Sequence, residues 1–276
     1  MALQDEKKGE GLAIDPNFCR LETENEAKNT LLIEYLNSYS RRQDDSLQKR
    51  LLKELIYGYV QLERRVDALL KNTLPVPVVE EIKSYGYYRP RFFDCTILFS
   101  DLVGFTHLAE KKSHEALISL LDNLFQKMDE IVGAFHGTKI KTIGDAYMAV
   151  FGAPITHENH AECAIKAAKK ILTSLEELNA SLNEHIEMRI GIHSGRVIGG
   201  VVGKERMQFD VFGDDVNIAA RFKSSGIPGK INVSQATYLQ TREKFVFEQR
   251  GEIPLKSKGK MTAYLVAAEV KNGSEL

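Results

Sequence analysis

The order of strand and helix patterns from Arg91 onward is the feature that most constrains the fold of this chain. A buried strand over Phe92–Phe99 precedes a helical pattern over Leu108–Phe135, and a hairpin follows with Gly144-Asp145 at its turn. A second long helix covers residues 158–183. This βααββαβ order, with helices on one face of a mainly antiparallel sheet, predicts an α+β, ferredoxin-like domain. The remaining predicted elements are strands at 139–143, 146–151, 187–193, 197–202, 208–212, 230–233 and 263–267, and a helix that begins near 214 and ends near 225.

A heptad repeat precedes this domain. Apolar residues recur at a and d positions between residues 44 and 72, which predicts a helix. Two arrangements remain open, a parallel dimeric coiled coil and an amphipathic helix that lies on its own domain. Pro75 and Pro77 end the helix, and residues 78–83 resemble a short second helix. The a positions are Leu52, Tyr59 and Val66, and the d positions are Leu55, Leu62 and Leu69.

These patterns divide the chain into three parts. Residues 1–43 form a polar segment that we expect to be partly ordered at most. Residues 44–90 form the coiled-coil helix and a kinked connector, and residues 91–276 form the main domain.

Composition excludes several classes of protein. The formal net charge of −1 leaves no basic excess for a nucleic-acid backbone. The three cysteines, Cys19, Cys95 and Cys163, show no spacing typical of a disulfide framework or a zinc site. No apolar run approaches the roughly 20 residues that span a bilayer, and the N-terminus lacks the pattern of a signal peptide. We therefore expect a cytoplasmic protein with reduced thiols, and leave open a missing upstream membrane or sensor segment.

Two aspartates occupy turns at strand ends of the predicted domain. Asp101 follows the first strand and opens a glycine-containing loop before a helix, and Asp145 lies at the hairpin tip. Taken singly, each is read as a turn or cap residue. In a ferredoxin-like sheet the two tips can lie side by side, and two converging carboxylates repel each other unless a divalent metal bridges them. Because the N–H groups of such a turn hold anions, the pair indicates a site for a cation together with phosphates.

Four motifs in this region resemble those of class III adenylyl and guanylyl cyclases. They are residues 99–106 (FSDLVGFT), 139–148 (KIKTIGDAYM), 189–195 (RIGIHSG) and 209–221 (FDVFGDDVNIAAR). The resemblance runs in order from about Arg91 to the C-terminus. It implies a reaction in which ATP or GTP is converted to a 3′,5′-cyclic nucleotide and pyrophosphate.

The resemblance implies a metal site and a phosphate cradle on one subunit. Asp101 and Asp145 match the carboxylates that hold two ions, Mg²⁺ or Mn²⁺, in each active site. The backbone of Leu102 matches a further metal ligand. The turn of Gly104, Phe105 and Thr106 matches the phosphate cradle.

Further residues match contacts to the triphosphate. Arg189 matches one on the same subunit as the metal carboxylates. Lys256, in the basic segment 256–260, matches the lysine that contacts the triphosphate, with Lys258 and Lys260 as alternatives. A solvated basic turn is the plain alternative for this segment.

The partner subunit is implied to supply the rest of each site. Asn217 and Arg221 lie four apart on one helix face and match the pair that orients the ribose and stabilises charge on the phosphorus.

Lys141 and Asp210 occupy the base-reading positions, where guanylyl cyclases carry Glu and Cys. A lysine donates to an adenine ring nitrogen and an aspartate accepts from the exocyclic amine, so the pair favours ATP.

Both halves of the site are present in one chain, which predicts a homodimer with two shared active sites. The heptads before the domain suggest a transducer for an upstream sensor. The alternatives are a guanylyl cyclase, a catalytically weak nucleotide-binding regulatory module, and a ferredoxin-like RNA-binding module. The last would need exposed aromatic residues on its strands, and Phe92, Phe93 and Phe99 are expected in the core.

Overall fold

The computed structural model describes residues 30, 31, 34, 47–182, 185–255 and 259–270. The chain divides into two compact units, Met1–Tyr87 and Tyr88–Leu276. Most of the predicted polar segment 1–43 lies outside the described residues. No helix in the described ranges is long and apolar enough to cross a membrane.

The first unit contains two described helices, α1 (Leu47–Lys71) and α2 (Val76–Tyr85). Pro75 precedes α2, and Pro77 fits its first turn because the N–H groups there have no helical partner. Asp67 of α1 pairs with Lys71, at 3.1 Å, and with Lys83 of α2, at 2.7 Å. All six heptad a and d side chains are exposed, between 47% and 70%. The helix is therefore present as predicted, with its apolar stripe uncovered within the described chain.

The second unit is an α+β domain, which confirms the predicted fold class. Its strands are β1 (Arg91–Leu102), β2 (Gly137–Ile143), β3 (Ala146–Phe151), β4 (Met188–Val202), β5 (Gln208–Phe212), β6 (Ile231–Ser234), β7 (Phe245–Leu255) and β8 (Gly259–Glu269). Its helices are α3 (Phe105–Lys111), α4 (His114–Ala134), α5 (His160–Leu182), α6 (Asp214–Ser224) and α7 (Gln235–Thr241).

The described strands form one eight-stranded sheet. Its order is β2-β3-β1-β4-β6-β8-β7, and β5 pairs with the C-terminal end of β4. The β2–β3 hairpin turns at Gly144-Asp145, as predicted. β1 pairs over its whole length with β4, from Arg91 opposite Gly199 to Leu102 opposite Met188. This register brings the end of β1 beside the start of β4.

The structure differs from the prediction in two details. The helical pattern over Leu108–Phe135 did not locate the break between its two helices, which lies at Ser113, because Ser113 accepts a hydrogen bond from the N–H of Ala116 and caps α4. The strands expected at 187–193 and 197–202 are one strand, β4, because β1 pairs continuously across the Gly195 position. β7 and α7 were not predicted.

The main core lies between the sheet and helices α4 and α5. Met128 and Ile171 from the helices pack with Tyr147, Ile190 and Ile192 from the strands. Alternate residues of β4 point to the opposite face, and there α6 packs against the sheet, since a Cβ on Gly191 would meet its backbone. The expectation of helices on one face is therefore wrong for α6.

Candidate active site

The two predicted metal carboxylates lie together at one edge of the domain. Asp101 is buried near the C-terminal end of strand β1, and Asp145 occupies the turn of the β2–β3 hairpin. The N–H of Leu102 donates a hydrogen bond to Asp145 Oδ2 at 3.1 Å. Gly144, with φ of 63°, supplies the left-handed conformation that this turn requires.

Two cationic side chains already contact Asp101. Arg189, opposite Asp101 in the β1–β4 register, donates from Nε to Oδ1 at 3.0 Å and from Nη2 to Oδ2 at 2.8 Å. Lys223 of α6 donates from Nζ to Oδ2 at 2.9 Å. The structure thus places Arg189, expected at the triphosphate, in contact with Asp101, a predicted metal carboxylate. It also adds Lys223, which the sequence did not reveal.

The donor set fits a magnesium-type site. Among the described residues, no group of three or more His, Cys, Asp or Glu side chains could hold a metal. Mg²⁺ is commonly bound through one or two carboxylates together with substrate phosphates, which matches Asp101 and Asp145. The guanidinium and ammonium groups on Asp101 show that this position accommodates positive charge.

The predicted phosphate cradle is a turn that leads into a helix. Gly104 has φ of 68° and ψ of 21°, and α3 begins at Phe105. The carbonyl of Gly104 accepts from the N–H of Leu108, which starts the helical hydrogen bonds. The first N–H groups of α3 lack helical partners, as a cradle requires. The side chain of Thr106 lies outside the described residues.

The two predicted base-reading residues contact each other. Lys141 Nζ forms a hydrogen bond and ion pair with Asp210 Oδ2. Asp210 is buried and its Oδ1 accepts from the N–H of Val211 at 2.9 Å. Gln208, on the same strand, donates to the carbonyl of Ile140 at 3.3 Å. β5 therefore lies against β2, and a donor and an acceptor stand side by side.

Asn217 and Arg221 lie on α6, four residues apart. Within the described chain, neither side chain makes a hydrogen bond or ion pair, and Asn217 is exposed. Lys223, two residues further on, contacts Asp101 of the same chain. Because residues two apart lie on nearly opposite sides of a helix, Arg221 faces away from that carboxylate.

A buried histidine holds the start of α6 in place. His193 Nε2 lies 2.9 Å from Asp215 Oδ1, and His193 Nδ1 lies 2.7 Å from Ser234 Oγ. Asp215 Oδ2 also accepts from the N–H of Arg196 at 2.9 Å. Burial lowers the pKa of His193 despite the neighbouring carboxylate. The sequence signal for this residue was present in the third motif, but its role was not predicted.

Two glycines of that motif allow α6 to approach β4. A Cβ on Gly191 would lie 2.0 Å from the backbone nitrogen of Lys223, and a Cβ on Gly195 would lie 2.4 Å from the carboxyl carbon of Asp215. Only glycine therefore permits the observed packing at these positions.

The predicted triphosphate lysine, Lys256, lies outside the described residues, as does Lys258. Lys260, the other alternative, is exposed and pairs with Glu252 at 3.4 Å.

A sheet of this topology, with an aspartate pair at its edge and the predicted base-reading pair on β2 and β5, is consistent with a nucleotide cyclase domain. Residues 87–268 match the family profile described as the adenylate and guanylate cyclase catalytic domain. The chain belongs to this family, and its second unit is a class III nucleotide cyclase domain.

Relatives include enzymes named for either nucleotide. The chain is 36% identical over 219 residues to the receptor-type guanylate cyclase gcy-28 of Caenorhabditis elegans. The matched region is 78% of this chain but 17% of that protein, so the chain spans only a small part of this relative. The guanylate cyclase domain of RhGC from Catenaria anguillulae, solved with GTP, is 34% identical with a TM-score of 0.63, over 65% of this chain and 100% of that one. The adenylyl cyclase CyaB from P. aeruginosa is 28% identical with a TM-score of 0.64, and the match covers 67% of this chain and 98% of the CyaB chain.

Proposed function

We propose that this protein is an adenylyl cyclase that converts ATP to 3′,5′-cyclic AMP and pyrophosphate. The ion pair between Lys141 and Asp210 carries the choice of ATP. Adenine offers an acceptor at its ring nitrogen and a donor at its exocyclic amine, whereas guanine offers the reverse at the same two positions. A fixed lysine donor and aspartate acceptor match adenine, and with guanine they leave buried polar groups unpaired.

The chain's own residues would bind and orient the nucleotide. Asp101 and Asp145 would hold two Mg²⁺ or Mn²⁺ ions, which supply a lowered pKa at the ribose 3′-hydroxyl and charge neutralisation at the pyrophosphate. Arg189 lies beside them and can transfer its two hydrogen bonds from Asp101 to a phosphate. The ribose 3′-hydroxyl would lose its proton to water, its oxygen would bond to the α-phosphorus, and the bond from that phosphorus to pyrophosphate would break.

A second copy of the chain would complete each site. Asn217 and Arg221 carry no partner within the described residues, and Arg221 faces away from the Asp101 of its own chain. In a two-fold homodimer, Arg221 of one copy would stabilise charge at the phosphorus bound to the metal carboxylates of the other. The exposed heptad stripe of α1 supports a parallel coiled coil as the dimer contact.

The proposal extends to location and input. The thiols of Cys95 and Cys163 are free, which supports a cytoplasmic setting. The coiled coil would transmit the signal of an upstream sensor to the cyclase domain.

Product formation from ATP and GTP, measured in parallel with Mg²⁺ or Mn²⁺, tests the proposed reaction. We expect cyclic AMP from ATP, little cyclic GMP from GTP, and no product from Asp101→Ala. A guanylyl cyclase is the second candidate, since gcy-28 and RhGC bear that name. Cyclic GMP as the main product would establish it. No product from either nucleotide, in a verified dimer, would favour a regulatory module.

The base-reading pair is tested by a matched pair of variants. Lys141→Glu should lower the rate with ATP, because it removes the donor and repels Asp210. Lys139→Glu, two residues away on β2, makes the same change of charge. It removes the Asp129 pair at 2.7 Å and the contact with the Tyr147 ring at 5.5 Å, and no contact with Asp210. Equal loss in both variants would show that general charge near β2, and not base recognition, sets the rate.

A further inference from the structure

Asp101, one of the two proposed metal carboxylates, is already paired with two cationic side chains of its own chain. The Asp101 carboxylate accepts two hydrogen bonds from Arg189 and a third from Lys223, at 2.9 Å. Both oxygens are therefore occupied, and Oδ2 accepts from both cations. The formal charges of Asp101, Arg189 and Lys223 sum to +1, and with Asp145 the sum is zero, so the two cations cancel the attraction that the two carboxylates alone would exert on a divalent cation.

Lys223 is held at this position by burial. Its side chain is 16% exposed, and that of Asp101 is 11% exposed. A buried ammonium group is costly unless it is paired, and Asp101 is the partner that the structure gives it. The backbone of Lys223 is itself fixed, because its nitrogen lies against Gly191 of β4. The contact between Lys223 and Asp101 therefore follows from the packing of α6 against β4.

We propose that Lys223 is a resident cation that a divalent metal must displace from Asp101, so that metal loading depends on the nucleotide. This inference rests on the proposed metal site. A triphosphate brings about four negative charges, and these can accept Lys223 and Arg189 when they leave the carboxylate. Without nucleotide, the displaced lysine has no acceptor among its described contacts, and the metal binds weakly.

Direct metal binding to the full chain without nucleotide tests the inference. Free Mn²⁺ is measured by electron paramagnetic resonance during titration of the wild type, Lys223→Met and Lys223→Gln. We expect both variants to bind Mn²⁺ about tenfold more tightly, because one competing charge beside the carboxylate is removed. The wild type should gain affinity strongly when a non-reactive ATP analogue is added, and the variants should gain less.

Two controls separate charge from position. Lys230→Met removes the same charge from an exposed residue shortly after α6, and should leave the Mn²⁺ affinity within about twofold. Lys223→Arg keeps the charge and should stay close to the wild type. Thermal unfolding of each variant verifies that it is folded.

The outcomes distinguish the inference from the proposed function. If Asp101→Asn abolishes Mn²⁺ binding but Lys223→Met and Lys223→Gln bind as the wild type does, the inference is wrong and the metal site stands. If Asp101→Asn leaves Mn²⁺ binding unchanged, the proposed metal site is wrong, and the inference is wrong with it. Equal tightening in Lys230→Met and Lys223→Met would also overturn it, since general charge would then explain the effect.

Discussion

The packing of α6 against β4 predicts a severe effect of Gly191→Ala. The added Cβ would lie 2.0 Å from the backbone nitrogen of Lys223 and 2.4 Å from the carbonyl carbon of Phe222. Both atoms belong to the backbone of α6, so a side-chain rotation cannot relieve the clash. Ordinary contact begins at 3.4 Å, and the helix must therefore move by about 1.4 Å.

This displacement sets the expected magnitude. Overpacking of a dense interface costs about 1–3 kcal/mol, which for a domain of this size lowers Tm by about 2–12 °C. Activity should fall much further, because a misplacement of about 1 Å can cost a factor of about 100. α6 carries Asn217 and Arg221, and both move with it.

The assay compares thermal unfolding and cyclase activity of Gly191→Ala with those of Gly133→Ala. Gly133 lies in α4, where an added Cβ meets no atom within 4 Å. There alanine should raise stability by up to about 1 kcal/mol through its helix propensity and leave activity unchanged. Wild-type activity in a folded Gly191→Ala protein would refute the argument that the position of α6 controls catalysis.

Three further predictions follow from the base site, the heptad stripe and the buried histidine. Lys141→Glu combined with Asp210→Cys should raise the ratio of cyclic GMP to cyclic AMP formed at equal nucleotide concentrations, and an unchanged ratio would remove the pair from base recognition. Replacement of Leu55 and Leu62 by Gln should weaken the dimer in analytical ultracentrifugation; no change in dimerisation or basal activity would exclude the coiled coil. Burial lowers the pKa of His193 below its ordinary value of about 6.5, so the unfolded chain binds more protons below that pH and the protein loses stability on acidification. His193→Gln should make Tm less dependent on pH between about 7 and 5, and a slope equal to that of the wild type would contradict this assignment.

The main elements of the fold could be predicted because local patterns specify them. The hairpin at Gly144-Asp145 is marked by its turn residues, and α5 by its long helical periodicity. The break before α4 depends on one hydrogen bond of Ser113, which periodicity does not show. The continuity of β4 through Gly195 depends on its pairing with β1, a contact distant in sequence.

The site shows the same division between local and distant information. The aspartates and the α6 residues belong to motifs that resemble a known family, so their positions could be predicted together. Lys223 contacts a residue 122 positions away, and no local pattern relates the two. Similarly, Asp215 gains its role only when folding brings α6 to His193 of β4.

The claim of a shared active site is tested most directly by complementation. Asp101→Asn should inactivate the metal half of each site, and Arg221→Ala the other half, so neither homodimer should be active. In a mixed dimer, both lesions fall in one site and the second site is intact. Equal amounts, unfolded and refolded together, should therefore recover about one quarter of wild-type cyclic AMP production. No recovery, although mixed dimers form and the refolded wild type is active, would contradict the shared site.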